Sequence, residues 1–390
     1  MTVGRRYRVD VEDTTGSTVA VIDTFQRLAF TSKISAKGNY EMTISGDDSR
    51  VNAIGGDYLF RVWFTDPGKG IDWINIFTGI HKTPSADTFE NGRKEWASFG
   101  PSLEELLDKA YILYAAGSSE AAKAGISSTV AREFVNENIG ALATVANGRD
   151  IAGTNPIALG GDPVIGGFWT GSRARKHLLT VLMSLNRFSI ENDDQIDFRV
   201  SYLGDYAFQF DIGRLGVDRT TVGLSAASSG LNAAGNVPVV FSVLRGNVSR
   251  QSKTTSRFNE ANVTIGLGQQ SGANRVVATA QDNLSLAASS IAQREMIVSA
   301  TDQTTAAGVL AVAEARLAEV VARENFTFTP RQAAEMVWRD YFVGDFVTVE
   351  DDQAGQQVNK QIRAIRATVT PGQTQLDDIR MEFEDLEPPT

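Results

Sequence analysis

Between Arg27 and Tyr111 hydrophobic residues recur in short blocks separated by turn residues, the spacing of successive β-strands. The blocks are Arg27-Leu-Ala-Phe-Thr-Ser-Lys-Ile, Tyr40-Glu-Met-Thr-Ile, Tyr58-Leu-Phe-Arg-Val-Trp-Phe, Ile74-Asn-Ile-Phe-Thr-Gly-Ile and Glu95-Trp-Ala-Ser-Phe. Tyr58, Phe60, Val62 and Phe64 alternate onto one face, with Trp63 on the other. Gly38-Asn39 and Gly55-Gly56-Asp57 supply turns, and Asp66-Pro-Gly-Lys-Gly70 has the chemistry of a hairpin loop. The pattern predicts a small closed or nearly closed β unit.

The periodicity then changes to that of helices. Ser102 and Glu105 have capping-box spacing, and Leu103, Leu106, Leu107, Ala110 and Tyr111 form a stripe, predicting a helix over 102–116. A second helix is expected from Ser119 to Asn138 through Ala122, Ile126, Val130, Phe134 and Val135, weakened at Gly125. Asn147 to Gly171 is rich in Gly, Asn and Pro and reads as a long loop. A third helix is expected over 172–186, followed by strands at Phe188–Glu191 and Gln195–Tyr202.

From Tyr206 to Phe258 the pattern returns to β with polar breaks. Asn262-Val-Thr-Ile-Gly266 and Arg275-Val-Val-Ala-Thr279 read as a hairpin, and Thr304 to Arg323 as a helix with a Glu319–Arg323 pair. Met336-Val-Trp, Asp345-Phe-Val-Thr-Val, Gln361-Ile-Arg-Ala-Ile and Ile379-Arg-Met-Glu-Phe predict closing strands. The fold class expected is β-rich α+β, with two β-barrel-like domains joined by a mixed α/β domain. The first β domain takes 1–101. The mixed domain takes 102–205 and is completed by 259–325, and the second β domain takes 206–258 and 326–390.

Composition narrows the chemistry. At 390 residues the chain exceeds what one core serves, so several domains are expected. It has 42% hydrophobic and 22% charged residues, as folded proteins do. The N-terminus lacks the apolar segment of a secretory signal, and no run approaches the length of a membrane span. With no cysteine, disulfides, thiol catalysis and Cys-ligated metals are excluded. The net charge of −10, without a long basic run, argues against tight sequence-independent binding of nucleic acid.

Candidate catalytic groups are few. Only His81 and His177 could serve a His-based site, and each sits where a structural role accounts for it. Gly266-Leu-Gly-Gln-Gln-Ser-Gly272 follows a strand, but a strand and not a helix comes next, so a hairpin accounts for it better than a phosphate loop. Asp193-Asp194, Glu350-Asp351-Asp352 and Asp377-Asp378 are paired acids in turn-like settings, where solvation is the usual state. Trp63, Trp73, Trp96, Trp169 and Trp338 are scattered, with only Trp63 and Trp73 flanking one hairpin loop. No catalytic, cofactor-binding or metal-binding residue is assigned, and no cofactor is expected.

Several short segments, taken in order, resemble the tail-tip or baseplate hub proteins of long-tailed bacteriophages and related prophage-derived particles. Lys33-Ile-Ser-Ala-Lys-Gly-Asn-Tyr-Glu-Met-Thr-Ile44 resembles that family's early strand pair around a glycine, and Phe77-Thr-Gly-Ile80 a recurrent strand. Gly100-Pro-Ser-Leu-Glu-Glu-Leu-Leu107 resembles the step from first domain to helix, and Gly171 to Leu182 the second helical segment. Val240-Phe-Ser with Gly246-Asn-Val resembles an internal strand turn, and Trp338 followed by Val343-Gly-Asp-Phe-Val347 the closing β domain.

The resemblance implies a homotrimer whose two β domains per subunit form a pseudo-sixfold ring, matching a sixfold tail to a threefold tip. It implies a distal tail protein ring above, a central fibre or spike below, and the tape-measure protein inside, with DNA only in transit. The location implied is the virion tail, assembled in the host cytoplasm. The chain ends at Thr390 soon after the closing β domain, so the resemblance brings no lysin with it. Two other readings stay open on the sequence: a cell-wall-degrading tail-associated enzyme, and a carbohydrate-binding adhesin tip.

Overall fold

The computed structural model describes residues 6–149, 157–192, 194–223, 230–257, 260–269, 272–288, 293–300, 303–320, 323–331, 335–351, 355–370 and 378–385. Strands dominate, arranged in several sheets, and the architecture is a β-rich, multidomain α+β fold. The chain divides into two compact units, Met1–Gln251 with Thr327–Thr390, and the inserted Ser252–Phe326.

In the first unit, a four-stranded antiparallel sheet runs in the order Thr18–Ile22, Arg6–Glu12, Leu59–Asp66, Ile71–Ile80. The alternation of the third strand is realised: Phe60, Val62 and Phe64 are buried. Pro67–Lys69 turns the chain and Gly70 closes the loop at φ +72°, a backbone conformation that glycine adopts without steric cost. Gly79 is glycine for a packing reason, since a Cβ there would stand 2.4 Å from the Tyr40 ring.

The opening and closing segments share one sheet. Arg27–Lys33 pairs with Asn39–Ser45 on one side and with Gln356–Val369 on the other, in the register Leu28↔Val369 to Lys33↔Ala364. The sheet continues outward through Asp378–Asp385 at one end and through Lys94–Pro101 and Thr83–Thr88 at the other. Three of the expected closing strands are present, as Phe346–Asp351, Gln356–Val369 and Asp378–Asp385.

The expected strand at Met336–Trp338 is instead a tight turn. Val337 bridges to Tyr341, the Asp340 carboxylate accepts the Met336 N–H at 2.7 Å, and Trp338 has φ +62°. The turn serves two aromatic clusters. Trp338 packs on Phe64 (5.1 Å), Phe30 (5.8 Å) and Tyr7 (6.1 Å), whereas Tyr341 meets Phe241 at 5.0 Å, beside Phe328 and Phe383.

The helical part corrects the sequence reading in several places. Only Glu105–Asp108 is helical where 102–116 was expected. The Ser102 hydroxyl is occupied by the Gly38 N–H and the Glu104 carboxylate, so no capping box forms, while Leu103, Leu107 and Ala110 are buried without a long helix. The expected helix 119–138 is a strand, Ala121–Ile126, followed by a helix, Ser127–Asn138. Gly125 belongs to the strand, paired with Trp169 of Phe168–Arg173. The latter strand and Ala158–Leu159 lie within what reads as loop; residues 150–156 of that stretch are outside the described ones. The third helix is Leu178–Glu191, so the strand expected at 188–191 is its last turn.

The second unit carries the expected hairpin, Val263–Leu267 with Val277–Gln281, and a third strand, Glu295–Ser299, parallel to the first. The helix Ala306–Glu319 packs on this sheet, with Thr305 Oγ1 accepting the Gly308 N–H at 3.1 Å as an N-cap. A Cβ on Gly266 would stand 2.7 Å from Val309, so this glycine lets helix and strand approach. Glu319 ends the helix and Arg323 opens the strand Arg323–Pro330, so the expected i,i+4 pair is not helical. A short helix, Asn283–Ala288, carries too weak a stripe to be foreseen.

Candidate functional site

His81 is buried, stacked between Phe60 (5.4 Å) and Trp96 (5.8 Å), with Nδ1 2.7 Å from Ser98 Oγ, which also meets Tyr40 OH at 2.8 Å. Burial lowers the His81 pKa, so the ring is held neutral inside the core. A Ser–His pair with both members buried presents nothing to a substrate. His177 precedes the helix Leu178–Glu191, with Nδ1 2.7 Å from the Asp108 carbonyl and its ring 4.3 Å from that of Tyr111.

Among the described residues the paired acids do not line a shared cleft. Asp193, Asp352 and Asp377 lie outside the described residues. Asp194 accepts the Gly166 N–H at 2.6 Å, and Asp378 pairs with Arg380 at 3.0 Å. Glu350 accepts from Arg245 (3.0 Å) and Gln357 (2.6 Å), and the Arg245 guanidinium lowers its pKa to about 2. Among the described residues no group of three or more His, Cys, Asp and Glu could hold a metal ion. The glycine-rich loop after Val263–Leu267 closes a hairpin, with the Gly268 N–H on the Val276 carbonyl at 2.8 Å.

The tryptophans Trp63 and Trp73 do meet, through arginines. Arg8 lies over Trp73 (4.7 Å) and Trp63 (5.5 Å), and Arg61 over Trp63 (4.8 Å) and Tyr202 (5.1 Å). Tyr202 OH donates to Glu12 at 2.6 Å while Arg61 bridges to the other oxygen of Glu12 at 2.5 Å. Burial, then the hydrogen bond to Glu12, raises the Tyr202 pKa to about 12. Trp63 is thus engaged by two guanidiniums.

The polar groups that do converge form a joint between the opening, middle and closing segments of the first unit. Asp197, fully buried, accepts from Arg363 (2.7 Å), Gln361 (2.7 Å), Gln195 (3.1 Å) and Ser35 (3.1 Å). Asn186 adds its amide at 3.4 Å and donates to the Ile196 carbonyl. Asp345 fixes the far side, accepting from Arg219 at 2.9 Å and from the Val217 N–H at 2.9 Å. A cavity of about 500 Å³ lies in this joint, walled by Arg61, Glu104, Arg199, Trp338, Phe342 and Asp345 among others.

Glu104 is buried at the cavity wall and accepts the Val200 N–H at 3.2 Å and the Ser102 hydroxyl. Burial raises its pKa, with those hydrogen bonds opposing the rise. Asp197 and Asp345 are each paired with an arginine, and the donors to Asp197 come from three stretches far apart in sequence. Sequence reasoning missed Asp197 because its donors Ser35, Gln361 and Arg363 stand more than 160 residues away.

Solved structures that share this fold include tail proteins. The chain is similar to the tail protein from Neisseria meningitidis MC58 (TM-score 0.57, 12% identity, covering 98% of this chain and 97% of that one). It is similar to the 43 kDa tail protein of prophage MuSo2 from Shewanella oneidensis (TM-score 0.56, 11% identity, 98% of each chain). A third is the prophage tail protein gp18 from Listeria monocytogenes EGD-e (TM-score 0.52, 11% identity, 96% and 94%). At these identities the likeness is one of fold. Among curated proteins none matches significantly. The sequence itself matches the family described as Siphovirus ReqiPepy6 Gp37-like protein over residues 8–380, nearly its whole length, and the chain belongs to that phage tail protein family.

Proposed function

We propose that this chain is the structural hub of a phage-like tail tip, a homotrimer that forms a ring between a sixfold tail and a threefold tip. The observation that carries the reading is the shared sheet: Arg27–Lys33 of the opening segment pairs with Gln356–Val369 of the closing one, and Trp338 and Tyr341 anchor the turn between two aromatic clusters. Two β blocks fixed to each other within one subunit supply six positions in a trimer. In this reading 1–101 is one β-barrel-like domain, 206–258 with 326–390 the other, and 102–205 with 259–325 the mixed domain.

Such a hub works by assembly and passive conduction, without turnover. Its partners are the distal tail protein ring, a central fibre or spike and the tape-measure protein, and DNA passes through it. The net charge of −10 is compatible with such a conduit, because an acidic surface repels phosphate. The subunit takes its place in the virion tail after synthesis in the host cytoplasm.

The test is the native mass of the purified chain, followed by negative-stain images of the same peak. A trimer with a central hole is expected. A chain that stays monomeric with a distal-tail ring present overturns the proposal.

A further inference from the structure

We infer that the two-stranded ribbon Ala121–Ile126/Phe168–Arg173 is the strand-pairing interface between neighbouring copies of this chain, an inference that rests on the ring reading above. The strands pair antiparallel from Phe168↔Ile126 to Arg173↔Ala121, and among the described residues neither pairs with a third strand. A two-stranded sheet is marginal by itself and presents two rows of backbone donors and acceptors. Its inner face is tied down: Trp169 meets Phe134 at 6.2 Å, and Lys123 bonds Glu137 and lies 3.4 Å from Glu133.

The outer face is uncharged and open. Alternation places Ala122, Ala124, Phe168 and Thr170 there, all exposed, with Phe168 at 66%. Terminal strands of the large sheet are built differently. Thr83–Thr88 contains Pro84 and Asp87, and Val248–Ser256 contains Arg250 and Lys253, residues that discourage edge pairing. The ribbon's own charged residues, Lys123 and Arg173, lie on the Trp169 face, paired with Glu137 and over the Trp169 ring, and none stands on the outer face.

Charge selects the occupant and its direction. Exposed Glu120 precedes the first strand, and the second strand ends in Arg173 followed by Arg175 and Lys176, in a chain of net charge −10. When the first strand of a second copy adds antiparallel to Phe168–Arg173, its Glu120 arrives beside this basic end. The two edges of the ribbon come from different strands, so the contact is head-to-tail, the kind that closes a ring under rotation.

The chain has no cysteine, so introduced thiols are the only ones present. Two preparations, Ala122→Cys and Ser172→Cys, are mixed, oxidised and analysed by mass, with Ala124→Cys and Thr170→Cys as a second pair. Partner residues of an antiparallel pair have Cα atoms about 4.5–5.5 Å apart, within disulfide range. Cross-links between the two variants, absent from either alone, are expected within the ring. Charge gives a second readout: Glu120→Lys should weaken association at least tenfold, and Arg175→Glu in the same chain should restore it. A ring that forms without mixed cross-links in either pair overturns this inference and leaves the ring intact as a reading. Cross-links within a single-variant sample overturn the head-to-tail arrangement. Failure to associate at all, with the distal-tail ring present, overturns both.

Discussion

Trp338→Ala tests the coupling between the two β blocks of the first unit. Trp338 is 4% exposed and packs on Tyr7, Phe30 and Phe64, with ring centroids 5.1–6.1 Å away. Truncating a buried aromatic of this size costs about 3–5 kcal/mol, the upper end applying where neighbours cannot collapse into the space. Collapse is hindered here because Phe30 and Phe64 sit on paired strands. The φ of +62° adds a second, opposite-signed effect. A side chain in that region costs about 1–2 kcal/mol, which glycine does not incur. Trp338→Gly should therefore be about 1 kcal/mol more stable than Trp338→Ala, although it removes one more carbon. The assay is urea denaturation followed by far-UV circular dichroism, with the transition of the inserted 252–326 unit as an internal reference. A loss below about 1 kcal/mol, an Ala variant more stable than the Gly variant, or an equal shift in the inserted unit would refute the reasoning.

Two further outcomes follow from the joint. Asp197→Ala should cost about 3–5 kcal/mol, because the Arg363 guanidinium is left without its carboxylate, and adding Arg363→Met should recover part of that loss; strict additivity in denaturation midpoints would exclude the coupling. Glu104→Gln keeps an acceptor for the Val200 N–H and removes a buried titratable group. Since burial raises the Glu104 pKa above 4.5, the native state holds a proton over a window in which the unfolded state has released it, so this group makes stability fall as pH rises above about 4.5. The Gln variant should gain relative to the parent as pH rises above about 4.5, and a pH-independent difference in urea midpoints would refute this.

Sequence periodicity revealed what short-range physics decides. The alternation Phe60, Val62, Phe64 and the Asp66–Gly70 loop are local, and both are realised. The Val263–Leu267 hairpin was legible because two β runs flank a glycine-rich turn. Periodicity failed where burial without a helix produces a helix-like pattern. Leu103, Leu107 and Ala110 are buried as a helical stripe would be, yet Ser102 is held in a bridge to Gly79 and the helix is reduced to Glu105–Asp108. Ala122 lies in a strand and on its exposed side because Phe168–Arg173, more than forty residues later, supplies the hydrogen bonds. The joint was illegible for the same reason on a larger scale: nothing local to Asp197 announces Arg363.

The turn at Trp338 explains how distant segments become one mechanical body. In an extended strand, residues i and i+3 point to opposite faces, and an ordinary hairpin could likewise divide two side chains between two layers. Here the division occurs within a turn whose ends are tied together: Trp338 donates its N–H to the Tyr341 carbonyl at 2.9 Å, and Asp340 holds the Met336 N–H. Because those bonds fix the spacing of the two anchors, a displacement of the Tyr7–Phe30–Phe64 cluster must move the Phe241–Phe328–Phe383 cluster with it, or break the turn. The continuous Arg27–Lys33/Gln356–Val369 pairing imposes the same constraint through the backbone. On the hub reading proposed above, these two ties are what would hold the two β blocks of each copy at fixed stations in the ring.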